Sequence, residues 1–260
     1  MDINVEILSH PCFDERCMSN IKRIHLPVAE KCNIHCSYCN RGINCKGVNK
    51  PGLTSKIMRP TEIKSYLKNE KKWNCVVGIA GPGESLYNKE TFESLDLLKD
   101  YTTCLCTNGL LLPEKLSELS YLKLNYLSIT INSLDYLLST KIYKYIFYNN
   151  NKFWGSEATK LLLEKQKLGL KMASSMGFRI KINTVYIPGV NDNQILPIAK
   201  LAKFYGVRIL NIIPVIPSGE FSDIKIDVEK LNNLKEKASK YIVQKDFCGR
   251  CRADAYGFIR

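Results

Sequence analysis

Short apolar runs rich in β-branched residues alternate along the chain with longer runs of helical periodicity. The strand-like runs cover residues 21–29, 74–80, 101–106, 125–131, 178–187 and 207–215. The helical runs cover residues 60–69, 88–100, 155–177, 191–206 and 227–243. Because strands that alternate with helices build βαβ units around a parallel sheet, this order predicts an α/β fold.

The number of these units limits the architecture. Six units are too few to close a full eight-stranded barrel, so we expect a partial, open (β/α)6 TIM-like barrel. In such barrels the reactive residues gather at the carboxyl ends of the strands. Residues 32–39, 81–85, 107–109 and 187–192 follow the first, second, third and fifth predicted strands. The sequence therefore predicts one site at the mouth of the barrel.

The composition indicates one large globular domain that spans residues 1–260. Of these residues 45% are hydrophobic, and no run approaches the ~18 apolar residues that a membrane span needs. The first residues lack the basic region of a secretory signal. The net charge is +13 with dispersed lysines, which favours a solvated basic surface. A surface for nucleic acid or another anionic partner is the less favoured alternative.

The cysteine content points to metal chemistry in a reducing compartment. Eleven cysteines, an odd number, occur without a secretory signal, which argues against a disulfide framework and for the cytoplasm. Cys32, Cys36 and Cys39 form a C-x3-C-x2-C pattern. Three thiolates can hold three irons of a 4Fe-4S cluster and leave the fourth iron open. A zinc site or buried thiols is the alternative, although zinc sites usually pair two C-x2-C units.

The aromatic Tyr38 before the third cysteine makes this pattern resemble the radical S-adenosylmethionine (SAM) superfamily. The resemblance implies that Cys32, Cys36 and Cys39 are catalytic cluster ligands. It also implies that the open iron binds SAM and that the cluster cleaves it to a 5′-deoxyadenosyl radical. Residues 81–85, GPGES, resemble the superfamily's Gly-Gly-Glu-Pro loop. The residues of this loop that we expect to bind SAM, with Glu84 as acceptor for its ammonium, are Gly81, Gly83, Glu84 and Ser85.

Three asparagines are further candidates for SAM binding. Asn108, Asn132 and Asn183 lie at or near predicted strand ends that face the same mouth. They could contact SAM or tune the clusters, and ordinary turn chemistry is the alternative.

Within this superfamily the chain is similar to the nitrogenase-cofactor biosynthesis family, NifB. The similarity covers nearly the whole chain, and the stretches that carry it include HPCFDE (10–15), CNIHCSYCNRGINC (32–45), GIAGPGESLYNKETFE (78–93), CLCTNGL (104–110), KINTVYIPGVND (181–192) and CGRCRADAYG (248–257). Where family members commonly have Asp-Pro, this chain has Glu84-Ser85. The resemblance implies that two further 4Fe-4S clusters are substrates, fused around an inserted carbon into an eight-iron precursor of the nitrogenase cofactor.

The resemblance also implies the ligands of these substrate clusters. We assign Cys45, Cys104 and His25 to one cluster, and Cys12, Cys248 and Cys251 to the other. Considered singly, Cys104 and His25 could be core residues, and Cys248 with Cys251 could be half of a zinc site. His10 is an alternative to His25 as the nitrogen ligand. Cys17, Cys75 and Cys106 match no ligand position, and we expect them to be ordinary thiols.

The implied reaction uses SAM twice, first to methylate a cluster sulfide and then to abstract hydrogen from that methyl group, which leaves a carbide. Expected partners are cofactor scaffold and carrier proteins, iron–sulfur donor proteins and an electron donor. We expect residues 1–20 and 244–260 to close over the barrel mouth and a C-terminal carrier-like domain to be absent. The alternatives are a radical SAM enzyme with auxiliary clusters that modifies a peptide or tRNA, and a non-catalytic zinc module.

Overall fold

Twelve strands and seven helices form the described part of the chain in this computed structural model, which describes residues 10–43, 50–245 and 251–259. The strands are β1 Lys22–Pro27, β2 Ile34–Cys36, β3 Gly42–Ile43, β4 Leu53–Thr54, β5 Cys75–Ala80, β6 Thr102–Thr107, β7 Tyr126–Thr130, β8 Tyr143–Tyr148, β9 Asn151–Trp154, β10 Arg179–Tyr186, β11 Ile209–Pro214 and β12 Tyr256–Gly257. The α-helices are α1 Ile63–Tyr66, α2 Lys89–Leu97, α3 Leu112–Tyr121, α4 Tyr136–Ser139, α5 Gly155–Ser175, α6 Ile195–Phe204 and α7 Val228–Ser239. The 3₁₀ turns are Glu15–Cys17, Pro60–Glu62, Lys72–Asn74, Ser85–Tyr87, Asp192–Gln194 and Gly219–Phe221.

The main sheet has seven strands in the order β11-β10-β7-β6-β5-β1-β12. Its first six strands are parallel and lie in chain order, with α1, α2, α3, α5 and α6 in the successive connections and α7 after β11. This arrangement confirms the partial (β/α)6 TIM-like barrel. The seventh strand, β12, pairs antiparallel with β1 through Arg23 and Gly257.

The two faces of this sheet have opposite chemistry. The outer face packs against the helices through fully buried side chains such as Ile24, Val77, Leu105 and Ile182. Because side chains alternate along a strand, the neighbouring positions face inward. These inward positions are mostly polar or small: His25, Gly78, Cys104, Cys106, Ser128, Thr130, Lys181, Asn183 and Asn211. A typical barrel fills its interior with branched apolar side chains, so this interior is built for something other than packing.

A smaller sheet, β2-β8-β9, carries the cysteine loop beside the barrel mouth. Strand β2 pairs with β8 through Ile34 and Ile146, and the β8–β9 hairpin turns at Asn149 and Asn150 with positive φ angles of 48° and 61°. The hydrophobic pattern of the sequence predicted neither the β8–β9 hairpin nor helix α3. It predicted a continuous helix over 60–69, where the chain instead forms a 3₁₀ turn followed by the single turn of α1.

The described parts of the two terminal segments lie against the barrel. Phe13 packs against Tyr126 and Ile209 at the amino ends of β7 and β11. The backbone of Ala255 accepts a hydrogen bond from His25 of β1. That residues 1–20 and 244–260 close over the barrel mouth stays a prediction. No helix within the described ranges combines the length and apolar character that crossing a membrane requires.

Candidate active site

The three cysteines of the C-x3-C-x2-C pattern line one cavity at the carboxyl ends of the barrel strands. This cavity has a volume of about 350 Å³, and its other lining residues include Gly81, Gly83, Glu84, Cys106, Thr107, Asn108 and Asn183. The loop that carries the cysteines is held in place by its backbone. Ser37 N donates to Ile142 O at 2.8 Å, and Ser218 Oγ donates to Tyr38 O at 2.8 Å. The site predicted at the barrel mouth therefore exists as a cavity with three thiols in its wall.

The electrostatics of these thiols suit a cationic ligand. Burial, followed by the charge of Glu84, raises the pKa of Cys32 to about 11. Burial and the neighbouring Cys39 and Cys32 raise the pKa of Cys36 well above its ordinary value. Metal ions deprotonate thiols that coordinate them, so bound iron would compensate the charge that burial disfavours. No three cysteine, histidine or acidic side chains within the described residues converge as the ligands of a single metal ion would.

The GPGES loop lies against the segment that leads into the cysteines. Gly83 N donates to Ala29 O and Glu84 N donates to Lys31 O, both at 2.9 Å. A β-carbon on Gly81 would lie 1.9 Å from Ala29 O, and one on Gly83 would lie 2.2 Å from Lys31 O. Real contacts never approach so closely, so only glycine lets the two backbones pair here. Two of the four residues predicted in this loop thus fix the position of the cysteine loop.

The carboxylate of Glu84 is buried and holds three hydrogen bonds from the chain itself. Thr107 Oγ1 donates to Oε1 at 2.5 Å, Leu86 N donates to Oε1 at 3.1 Å, and Asn108 N donates to Oε2 at 2.7 Å. Burial raises the pKa of Glu84, and the hydrogen bonds from these groups oppose that rise. A carboxylate has about four acceptor sites, so capacity for a further donor remains. Ser85 is buried in the turn that follows.

The three candidate asparagines occupy different positions. Asn108 lines the cavity, and its amide donates to Asn33 Oδ1 at 2.9 Å. Asn183 also lines the cavity, on the inward face of β10. Asn132 is fully buried, and its amide donates to the hydroxyls of Tyr38 at 2.9 Å and Tyr143 at 3.1 Å. Asn132 therefore positions an aromatic residue of the cysteine loop, and a direct contact between its side chain and SAM stays a prediction.

A second group of thiols lies deeper in the barrel. A β-carbon on Gly78 would lie 3.0 Å from both Cys104 Sγ and His25 Cδ2, and 3.6 Å from His25 Nε2. Glycine at this position therefore leaves Cys104 and His25 facing the same space. His25 Nδ1 lies 2.9 Å from Arg252 O, which assigns the ring proton to Nδ1 and leaves Nε2 as an acceptor. Histidines that bind a metal through one ring nitrogen usually donate the other N–H to a carbonyl or carboxylate in this way.

His10, the alternative nitrogen ligand, has the opposite arrangement. Its Nδ1 accepts a hydrogen bond from Cys12 N at 2.9 Å, so Nε2 carries the proton. Nε2 is buried and has no hydrogen-bond partner in the described part of the chain. A protonated ring nitrogen cannot donate a lone pair to iron, so the geometry favours His25 over His10.

Cys12 and Cys251 also lie near this inner group. The charges of both raise the pKa of Cys104, after burial and the charge of Cys106. Burial alone would raise the pKa of Cys12, but Lys181, His10 and Lys245 hold it well below its ordinary value. Cys45 and Cys248 lie outside the described residues, so the predicted division of ligands into two sets stays a prediction. No disulfide joins the cysteines within the described residues.

Two residues that were not predicted from the sequence to be functional also belong to this interior. Cys106, expected to be an ordinary thiol, lines the cavity beside the three cysteines of the motif. Lys181 is 6% exposed, and its ammonium lies 5.4 Å from the centre of the Phe13 ring. Residues two apart on a strand share a face, so the spacing of Cys104 and Cys106 was a usable signal. Lys181 had no comparable signal, because a strand lysine ordinarily faces solvent.

Comparison with known proteins places the chain in a family. The Radical SAM superfamily model matches residues 26–202. The FeMo cofactor biosynthesis proteins NifB of Methanocaldococcus infernus and Methanocaldococcus jannaschii are 39% and 40% identical to the chain. The matches cover 97% and 96% of this chain and 86% of each relative. The NifB of Chlorobaculum tepidum is 38% identical over 99% of this chain and 63% of its own length.

A solved structure shares the fold at much lower identity. Streptococcus suis SuiB bound to S-adenosylmethionine superposes with a TM-score of 0.61 at 17% identity, over 87% of this chain and 52% of SuiB. At that identity the likeness concerns the fold alone. The family match and the sequence relatives together identify the chain, which belongs to the NifB family of radical SAM enzymes.

Proposed function

We propose that this enzyme builds the precursor of the nitrogenase active-site cofactor from two 4Fe-4S clusters, which it binds as substrates. In this reaction a methyl group passes from SAM to a substrate cluster, and the removal of its hydrogens leaves a carbide. The two clusters are fused around this carbide, and a ninth sulfur completes the product. The names of the relatives, which describe FeMo cofactor biosynthesis proteins, support this substrate class.

One structural observation carries the proposal furthest. Directly below the cavity of Cys32, Cys36 and Cys39, the barrel interior presents a second group of thiols around Cys104 and His25. Thiolates are the usual protein ligands of iron–sulfur clusters, and histidine replaces them at some sites. A substrate held there would lie under the SAM site, which is where a methyl acceptor has to be.

The resident cofactor would be held by Cys32, Cys36 and Cys39, whose thiols line one cavity with room beside them. When bound, this 4Fe-4S cluster supplies the electron that cleaves SAM to methionine and a 5′-deoxyadenosyl radical. The residues that we propose for SAM itself are Gly81, Gly83, Glu84, Ser85, Asn108, Asn132 and Asn183.

The chain's own residues orient these groups and exclude water. Glu84 ties the loop after β6 to the loop after β5, so that Asn108 and the glycine backbone face the cavity together. Asn132 fixes the hydroxyl of Tyr38 next to the third cysteine. His25, with its Nδ1 proton directed at Arg252 O, keeps Nε2 available to the substrate cluster.

The proposal implies several partners. The clusters have to arrive from iron–sulfur donor proteins, an electron has to come from a reduced carrier, and the product has to pass to a scaffold or carrier protein. We place the enzyme in the cytoplasm, where thiols stay reduced. Neither a membrane nor a nucleic acid has a part in this reaction.

The decisive experiment uses anaerobically reconstituted protein with SAM and a reductant. We expect S-adenosylhomocysteine and 5′-deoxyadenosine to form together, and the product to restore activity to cofactor-deficient nitrogenase. Reconstituted protein should hold about twelve irons per chain, as three four-iron clusters require. Deoxyadenosine without S-adenosylhomocysteine would contradict methyl transfer, and zinc without iron would contradict the whole assignment.

A further inference from the structure

Cys106 occupies an unexpected position between the two groups of thiols. It lies on β6, two residues after Cys104, so both side chains point into the barrel about 7 Å apart along the strand. Its side chain is reached through the cavity that also contains Cys32, Cys36 and Cys39, and it forms part of the wall of that cavity. Cys106 is thus a fourth thiol in the cavity wall, on the side that leads to the inner group.

The electrostatic neighbours of Cys106 lie on both sides of it. Burial raises the pKa of Cys104, and the charge of Cys106 contributes next. Burial also raises the pKa of Cys106, and the charges of Cys12 and Glu84 add to that rise, against Lys181 and Ser128. Cys106 is therefore close enough to interact with the inner thiols and with the SAM loop.

The surroundings of this thiol contain a buried polar group without a partner. Asn183 Nδ2 lies 4.0 Å from Cys106 Sγ, and Asn183 Oδ1 accepts a hydrogen bond from Asn211 Nδ2 at 3.1 Å. Asn211 is 2% exposed, and its Oδ1 has no hydrogen-bond partner in the described part of the chain. Buried acceptors are nearly always satisfied, so Asn211 Oδ1 marks a place where a donor from outside the described residues completes this layer of the barrel.

The proposed chemistry makes a free thiol at this place a liability. An S–H bond is weaker than a C–H bond, so a primary carbon radical takes hydrogen from a thiol readily. A free Cys106 thiol in the cavity would compete with the substrate for the 5′-deoxyadenosyl radical. Coordination to iron removes that hydrogen and turns the liability into a contact with the substrate.

We propose that Cys106 is a ligand of a substrate iron–sulfur cluster and holds it at the boundary between the inner thiols and the SAM site. The inference rests on the proposed function, since it requires clusters as substrates. Binding is a ligand exchange: an Sγ–Fe bond forms, an exchangeable thiolate or hydroxide leaves the iron, and the thiol proton goes to that leaving group. No electron is transferred in this step.

The first test measures how firmly the substrate clusters are held. The parent protein carries Cys32→Ala, Cys36→Ala and Cys39→Ala, so that only substrate clusters bind, and iron release to a chelator is followed by absorbance. Adding Cys106→Ser should speed iron release by at least about tenfold, because losing even a group that only hydrogen-bonds to a metal ligand typically costs 10–100-fold in affinity. The matched control is Cys75→Ser, where the hydroxyl can keep the thiol's hydrogen bond to Lys71 O and release should not change.

The second test uses the unmodified chain, so it does not depend on the folding of a variant. Anaerobic apoprotein and iron-loaded protein are alkylated with iodoacetamide, and fragment ions separate Cys106 from Cys104. Cys106 should react in the apoprotein and be protected after loading. Equal alkylation in both states would overturn the proposal, and so would protection without faster iron release in Cys106→Ser, which indicates shielding alone. A parent protein that binds no iron would contradict both this inference and the proposed function.

Discussion

The backbone amide of Asn108 donates a hydrogen bond to the carboxylate of Glu84 at 2.7 Å, across 24 positions of the sequence. Thr107 and Leu86 donate to the same carboxylate. One buried side chain thereby joins the loops that follow β5 and β6, and both loops line the cavity of the three cysteines. The geometry of the proposed SAM site therefore depends on a residue whose contacts are mostly with the chain itself.

Replacing Glu84 by glutamine should loosen this connection. The amide has one oxygen for two backbone donors, so either Leu86 N or Asn108 N faces an NH₂ group. We expect a loss of about 1.5–3 kcal/mol in the free energy of unfolding, the range for a hydrogen bond to a charged group. Urea unfolding measures it, and SAM affinity should fall in parallel. Glu114→Gln, on the surface beside Lys165 and Tyr148, is the control and should change stability by less than about 1 kcal/mol.

Gly83→Ala should separate stability from SAM binding. Its β-carbon would lie 2.2 Å from Lys31 O, so the loop has to move away from the cysteines. Gly177→Ala is the matched control, because Gly177 has a φ of 78° and nothing within 4 Å of the added carbon. The control loses about 1–2 kcal/mol to backbone strain alone. At temperatures where both variants are folded, SAM cleavage should be lost only in Gly83→Ala; cleavage intact in both would contradict the role of this glycine.

Cys36→Ala and Cys251→Ala should have different effects on the two halves of the reaction. Cys36 lines the cavity proposed to bind SAM, so its loss should abolish formation of 5′-deoxyadenosine. Cys251 lies near Cys104 of the inner group, so its loss should spare cleavage and reduce the yield of mature cofactor. Chromatography of the nucleosides and a nitrogenase maturation assay measure the two outcomes. Equal loss of cleavage in both variants would refute this division.

Asp254→Asn should weaken the tail that carries Cys251. Asp254 Oδ2 accepts a hydrogen bond from Ser55 N at 2.5 Å, and Oδ1 accepts one from Arg252 Nε at 2.8 Å. Burial alone would raise the pKa of Asp254, but Arg252 and Ser55 hold it well below its ordinary value of 3.8. The carboxylate therefore contributes stability above pH 3.8, and that contribution is lost as the pH falls through its folded-state pKa.

The pH dependence of this variant tests whether the Asp254 carboxylate stabilises the folded state only while it is charged. The difference in unfolding free energy between the natural protein and Asp254→Asn should be constant from about pH 7 to pH 5 and narrow below the ordinary carboxyl pKa. Iron content should also fall at neutral pH while SAM cleavage persists. A difference that widens toward acid pH would contradict the assignment of the carboxylate as the charged anchor.

The six barrel strands could be predicted because each is a compact β-rich run bounded by loop residues. The β8–β9 hairpin had a signal too, since an aromatic-rich run, YKYIFY, precedes Asn149 and Asn150, and Phe153 and Trp154 follow them. The hairpin was not predicted because a simple alternation of strands and helices does not include two consecutive antiparallel strands. Helix α3 was missed although Pro113 lies in its first turn, a usual helix-start signal.

The site shows a sharper limit. The resemblance located Glu84, but its three donors come from two loops, and only the fold brings Asn108 to it. Asn132 looked like a ligand contact because it follows a strand, yet its register directs the amide to Tyr38. Cys106 matched no family position, and only the inward face of β6 reveals that it reaches the cavity. The sequence therefore identifies candidate site residues, whereas the contacts of each one depend on the direction of its side chain in the fold.

The polar interior of the barrel has a thermodynamic consequence. The central space, lined by His25, Cys104, Lys181 and Asn183, contributes little apolar burial, so the empty enzyme depends on its outer layer of helices for stability. In the proposed function, a bound cluster stabilises the folded state in proportion to the logarithm of its concentration over its dissociation constant. The melting temperature should therefore rise when clusters bind and fall after the product is released. A thermal melt would then report what fraction of the enzyme contains a cluster.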